Sequence, residues 1–346
     1  SNDYEASMEW KRGPAIGRGS SATVYLATAI AAGELFAVKS SDLRSSSALR
    51  REERLISELR PPLVVKCLGS DVTDEGGRRE FNLFLEYVSG GTLSDLIRNS
   101  GGSLDEKTIQ FYAHQLAIGL RHIHGKGIVH CDVKGKNILI GEEGTKICDF
   151  GCARFAEPGG GSVISGTPAY MAPEVARGEE QEFPADIWAL GCTVIEMATG
   201  SNPWPEMKDP ASTLYRVAYS GDTPEFPDWL STAAKDFIGK CLIKEPNERW
   251  TAAELVRHPF LASGMERPTR ESPTTVVDQT FWDSIEDSES MSEFIPSTES
   301  PADRITSLIG GESNSLYSPN WDGDEDWSEV RGISTEENYH VDIISS

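Results

Sequence analysis

Apolar positions in residues 10–40 fall in short β-type runs separated by turn residues. Tyr25–Ala27 and Leu35–Val38 read as strands around a turn at Gly33. The period then changes. Ala48, Glu52, Leu55 and Leu59 recur at helical spacing, so residues 46–60 read as a helix, with caps offered by Ser45–Ser47 and a stop at Pro61-Pro62. Phe81–Leu85 is a further apolar run, interrupted by Asn82 and followed closely by Gly90-Gly91. From residue 104 onward the pattern is helical, over 104–124, 184–199, 211–220, 231–242 and 251–257. The pattern predicts an α+β chain, with a small β-rich half before a larger helical half and no internal repeat.

The chain has 346 residues and a net charge of −23, which argues against nucleic-acid and anionic-membrane partners. The charge is uneven. Residues 262–346 hold nineteen acidic and four basic residues, a net −15, which leaves −8 for the rest. That segment is rich in Ser, Thr and Pro and spaces its aromatics singly. It buries too little apolar surface to offset chain entropy, so it reads as a mostly disordered acidic tail behind a folded domain at 8–261. Cys67, Cys131, Cys148, Cys152, Cys192 and Cys241 form no C-x-x-C pair, a pattern of reduced thiols that suits the cytosol or nucleus. No apolar run approaches the ~18 residues of a membrane-spanning helix, and the polar opening lacks a signal-peptide core. Nothing in the pattern specifies an oligomeric state.

Candidate chemistry concentrates in residues 129–151, VHCDVKGKNILIGEEGTKICDFG. Asp132, Lys134, Asn137 and Asp149 have the spacing of a phosphoryl-transfer site. One Asp accepts the proton of an attacking hydroxyl, while an Asn and a second Asp hold the metal ions that bridge nucleotide phosphates. Upstream, Ile16 to Val24 reads IGRGSSATV, a glycine loop between strands carrying Gly17 and Gly19. Alone it is weak evidence that reads equally well as an ordinary turn, but Phe36-Ala37-Val38-Lys39 follows and supplies a strand lysine for the phosphates. Glu52 lies on the 46–60 helix as a partner for that lysine, and Glu53 points about 100° away.

These motifs together resemble the protein kinase superfamily over about residues 8–261. The resemblance implies a two-lobed kinase fold, with a β-rich lobe followed by a helical one. It implies Asp132 as catalytic base, Lys134 stabilising the transferring phosphoryl, and Lys39 held by Glu52. ATP and Mg²⁺ are the implied cofactors, with Asn137 and Asp149 as metal ligands. Ile16, Gly17, Gly19, Val24, Ala37 and Lys39 would line the nucleotide site. Leu85 would be the gatekeeper, and backbone groups of Glu86 and Val88 would hold adenine.

The Asp-x-Lys pair resembles serine/threonine kinases. In Gly166–Val175, GTPAYMAPEV, the family layout puts Thr167 against Asp132 and Lys134, pairs Glu174 with Arg249, and lets Asp186 hold the catalytic loop through its backbone N–H groups. This string, with VHCDVKGKNIL and FLEYVSGGTL, is similar to plant MEKK-type MAP kinase kinase kinases. The implied partner is a protein substrate, a MAP kinase kinase. A serine/threonine kinase of another pathway and a pseudokinase scaffold stand as alternatives; the intact Lys39, Asp132, Asn137 and Asp149 argue against the second.

Two departures matter. Ala22 stands where the kinase loop has its third glycine, and Cys131 where an arginine normally precedes the catalytic Asp. A thiol cannot grip an activation-loop phosphate, so activity without loop phosphorylation is expected. Arg154 offers an alternative phosphate contact, and Ser162 and Ser165 are the candidate acceptors. Cys148 and Cys152 flank Asp149-Phe150-Gly151 and read as small buried apolar residues.

Overall fold

A computed structural model describes residues 9–19, 22–142, 144–156 and 164–262. The acidic segment beyond Ala262 and Ser162 of the loop, singled out above, lie outside the described residues.

The first lobe is a five-stranded antiparallel sheet with one helix. Its strands are β1 (Trp10–Arg18), β2 (Thr23–Ala29), β3 (Leu35–Asp42), β4 (Cys67–Glu75) and β5 (Arg78–Glu86), in the order β1-β2-β3-β5-β4. Gly33 makes the β2–β3 turn at φ 70°. Trp10, Phe36 and Phe84 meet edge to face, with ring centroids 5.4–6.1 Å apart, over Ala27, Ala29 and Val38. β4 has no counterpart in the apolar pattern. Its sequence CLGSDVTDE is largely polar, and it is recruited by pairing with β5 from Cys67 to Glu75. Asn82, which interrupts the β5 run, is fully buried. It accepts from Ser40 Oγ at 2.6 Å and donates to Asp71 and Thr73 at 2.8 and 2.9 Å.

The helix α1 (Ser47–Ser57) follows β3 after a 3₁₀ turn. It is shorter than the predicted 46–60 span, and the buried face is Leu49, Glu52, Leu55 and Ile56, with Leu49 rather than Ala48 turned inward. Its N-cap Ser46 makes no side-chain capping bond. That omission costs about 1 kcal/mol, whereas each buried Leu or Ile contributes about 1.5–3 kcal/mol. Packing therefore sets this helix, and it carries Glu52 into the interior.

The second lobe is helical: α2 (Leu93–Asn99), α3 (Glu106–Gly125), the short strands β6 (Ile128–Val129), β7 (Ile138–Gly141), β8 (Gly144–Ile147) and β9 (Arg154–Phe155), then α4 (Pro173–Ala176), α5 (Phe183–Thr199), α6 (Pro210–Tyr219), α7 (Thr232–Cys241), α8 (Ala252–Leu255) and α9 (Pro259–Ala262). Local chemistry marks the starts. Thr92 with Asp95, and Thr251 with Glu254, form capping boxes, and Asp105, Asp209 and Ser231 cap α3, α6 and α7. The axis of the lobe is α5, buried from Ala185 to Ala198 around Trp188. No helix among the described residues is long and apolar enough to cross a membrane, and all six cysteines are free thiols.

Candidate active site

The site is built on four segments between the lobes: β3, α1, the loop from His130 to Asn137, and the stretch after β8. β3 presents Lys39 and α1 presents Glu52. Lys39 Nζ donates to both Glu52 oxygens, at 3.0 and 2.8 Å, and to Asp149 Oδ1 at 2.8 Å. The Phe150 backbone N–H donates to Glu52 Oε1 at 3.2 Å, which ties α1 to the segment after β8. Burial works against the Lys39 charge, but Asp149 and Glu52 outweigh it and its pKa is raised. Lys39 pulls the Asp149 pKa down to about 2, against the effect of burial. A fixed cation thus faces an anion whose carboxylate remains 47 % exposed.

The second cluster lies in the catalytic loop. Lys134 Nζ donates to Asp132 Oδ2 at 2.8 Å and to Thr167 Oγ1 at 2.6 Å. Thr167 Oγ1 donates to Asp132 Oδ1 at 2.7 Å. Asn137 Nδ2 donates to Asp132 Oδ2 and to its backbone carbonyl, at 2.9 and 2.8 Å. Both Asp132 oxygens are therefore aimed by neighbours. The two non-glycine residues at positive φ among those described, Cys131 at 68° and Asp149 at 61°, flank this cluster. Such backbone strain persists only where the surroundings over-determine it.

Those surroundings are visible. Asp186, at the start of α5, accepts from the backbone N–H groups of His130 and Cys131 at 2.8 and 2.9 Å, and His124 Nε2 lies 2.9 Å away. Arg249 donates to Glu174 at 2.7 and 3.0 Å in a buried bidentate pair that anchors α4. Glu196 of α5 accepts from Ser94 Oγ, the Gly135 N–H and Tyr170 Oη at 2.6, 3.0 and 2.9 Å. The sequence reading passed over Glu196, although an acidic residue inside the apolar run 184–199 was a signal for it. Gln181 was also missed, and nothing in its polar surroundings EEQE marks it.

Around the nucleotide-side residues, Ala37 is buried on β3 opposite Leu85, Val24 is half-buried, and Ile16 is 49 % exposed. Gly17 pairs with Val24 across the loop, and the Gly19 N–H donates to the carbonyl of Ala22 at 2.8 Å. The Glu86 N–H is taken by the Lys66 carbonyl at 3.0 Å, and its carboxylate meets Lys146 at 3.0 Å. Val88 is half-buried two residues beyond β5. Burial pushes the Cys131 and Cys148 thiols up, although Cys148 and Cys152, expected as buried, are each only half-buried because they flank the open Asp149 turn. Arg154 Nη2 donates to the backbone carbonyl of Gln181, and its buried Nε meets no hydrogen-bond partner among the described residues. The donors that a divalent cation would meet are the Asp149 and Asn137 side-chain oxygens, hard ligands of the type Mg²⁺ takes in small number alongside phosphate and water.

The sequence matches the protein kinase domain model over residues 10–261. It is 46 % identical over 342 residues to Mitogen-activated protein kinase kinase kinase 18 of Arabidopsis thaliana, covering 94 % of this chain and 99 % of that one. It is 50 % identical over 295 residues to Mitogen-activated protein kinase kinase kinase 17 of the same plant, covering 81 % and 78 %. A third relative, Mitogen-activated protein kinase kinase kinase 20, is 37 % identical over 353 residues. The chain belongs to the protein kinase family, as a serine/threonine kinase of the plant MEKK-type MAP kinase kinase kinase group.

Proposed function

We propose that this kinase transfers the γ-phosphoryl of ATP to a Ser or Thr hydroxyl of a MAP kinase kinase, using Asp132, Lys134, Lys39 and Glu52 as its catalytic set. The observation that carries this reading is the Lys39 ammonium held 2.8 Å from both Glu52 and Asp149. Lys39 would thereby meet the α- and β-phosphates with its side chain already in place. Asp132 takes the proton of the attacking hydroxyl. Its two oxygens are pre-aimed by Thr167, Lys134 and Asn137, so a substrate hydroxyl competes with Thr167 for Oδ1. Lys134 places its charge where the transferring group carries negative charge. Mg²⁺, held by Asn137 and Asp149, neutralises phosphate charge when bound. Ile16, Gly17, Gly19, Val24 and Ala37 would line the nucleotide site, and backbone groups of Glu86 and Val88 would take the adenine. The enzyme works in the cytosol or nucleus, where its free thiols remain reduced.

The decisive experiment is transfer from γ-labelled ATP to a panel of catalytically inactivated MAP kinase kinases, beside unrelated kinase substrates, with and without EDTA. Selective, EDTA-sensitive labelling of a MAP kinase kinase is expected. Equal labelling of unrelated substrates would place the enzyme in another pathway, and no labelling would reject the catalytic reading.

A further inference from the structure

Gln181 lies between α4 and α5, just before the α5 N-cap Glu182, and is 2 % exposed. Its side chain joins two segments that are far apart in the chain. Nε2 donates to the Cys131 carbonyl at 3.3 Å, on the catalytic loop, and to the Ser165 carbonyl at 3.0 Å, on the activation segment. Oε1 accepts from the Ser165 N–H at 3.4 Å. The amide therefore pairs with both backbone groups of Ser165, much as a neighbouring strand would. Gln181 is itself pinned, because its backbone carbonyl accepts from Arg154 Nη2 of β9.

The next two residues carry this contact to the chemistry. Gly166 has φ 113°, and a Cβ there would lie 2.3 Å from the Cys131 carbonyl oxygen. The segment is pressed against the catalytic loop more closely than any side chain permits. Thr167 then reaches Asp132 and Lys134 at 2.7 and 2.6 Å. An unbroken line runs from the Gln181 amide through Ser165 and Gly166 to the Asp132 carboxylate. Each bond that Gln181 makes in it is neutral and needs no modified residue.

We propose that Gln181 is a positioning residue that docks the unphosphorylated activation segment onto the catalytic loop, holding Thr167 and Asp132 in register. The position before Asp132 carries a buried thiol that cannot clamp a phosphate, and Arg154 donates one of its N–H groups to the Gln181 carbonyl. A side-chain amide thus supplies the link that elsewhere requires a charged pair. The proposal rests on the reading of Asp132, Lys134 and Thr167 as the transfer site.

The test uses the full chain after phosphatase treatment, with mass spectrometry confirming an unmodified loop. Gln181→Met keeps length and approximate volume but removes donor and acceptor together. We expect kcat to fall by about tenfold or more, while KM for ATP stays within about twofold because the glycine loop, Lys39 and the Glu86 backbone lie on the other lobe. Amide exchange should quicken in the peptide 164–170 and stay unchanged in α5 and α7. A role confined to stability would quicken exchange in all three and lower the melting temperature. Unchanged kcat and unchanged exchange at 164–170 would overturn the proposal. Should Gln181→Met fail to fold, the wild type decides: exchange of the dephosphorylated 164–170 peptide at the unprotected rate also overturns it, and slow exchange supports it. A wild type with no phosphoryl transfer would instead defeat the transfer-site reading, and the exchange measurement would still judge the docking.

Discussion

Asp186 accepts a 2.9 Å hydrogen bond from the backbone N–H of Cys131, which is held at φ 68°. The pair explains how a non-glycine residue sits in the left-handed region next to the candidate catalytic base. Asp186 is anchored by the buried α5 and grips two consecutive N–H groups, so the loop cannot relax into an ordinary turn. The strain is retained where it directs Asp132 toward Lys134 and Thr167.

The grip is electrostatic, which makes it pH-dependent. Burial works to raise the Asp186 pKa, but the hydrogen bonds from His124 and the loop backbone leave it below the usual carboxylate range. A depressed folded-state pKa adds stability above the unfolded value of about 3.9, and that contribution is lost as pH falls through the folded value. Asp186→Asn should therefore be less stable than wild type at pH 7, by about 2–3 kcal/mol. The gap should close at acid pH, starting below about pH 4. Urea denaturation across the pH range measures it, and a gap that persists unchanged to about pH 3 would contradict this account.

Lys39→Met removes the charge between Glu52 and Asp149 while leaving an aliphatic side chain of similar length. Phosphoryl transfer should fall by at least about a hundredfold, since a preorganised charge at the phosphates is lost. The fold should survive because Glu52, then buried without its cation, can take up a proton. Steady-state kinetics on the purified variant, with circular dichroism to confirm folding, provides the check. Near-normal turnover would remove Lys39 from the catalytic set.

Arg249→Met strands the Glu174 carboxylate, which is 3 % exposed in the pair. Breaking a buried ion pair from one side costs about 3–5 kcal/mol, far more than an exposed pair such as Arg98–Asp95 is worth. Chemical denaturation should separate the two substitutions clearly, with Arg98→Met near wild type.

Ser165→Ala and Thr167→Val should behave differently although the two residues are neighbours. Gln181 contacts only the backbone of Ser165, and the Ser165 hydroxyl makes a long 3.4 Å bond to the Cys152 carbonyl. Its loss should cost less than about tenfold in kcat/KM, under about 1.4 kcal/mol. Thr167→Val keeps the shape but removes the hydroxyl that bridges Asp132 and Lys134, and a larger fall in kcat is expected. Parallel kinetics on both variants, with the loop's modification state fixed by mass spectrometry, tests the ranking.

Much of this protein can be read from the chain alone, because the relevant forces are local. The Lys134, Asn137 and Asp149 spacings, the turn at Gly33 and the long helices α3 and α5 follow from side-chain period and turn chemistry within a few residues. Other features depend on partners remote in sequence. β4 is too polar to announce itself and exists because β5 pairs with it. The α1 register, with Leu49 inward, was settled by packing rather than by its caps. Lys39 meets Asp149 across 110 residues, and Gln181 meets Cys131 across 50. Such contacts form only when burial of the apolar framework brings the segments together, and no local pattern encodes them. The sequence alone determined which chemical groups the kinase owns and the order in which they come. The tertiary structure decided which oxygens each group faces, and that Cys131 is held at positive φ. It also decided that a neutral amide docks the activation segment, because buried polar groups must find partners wherever the fold places them.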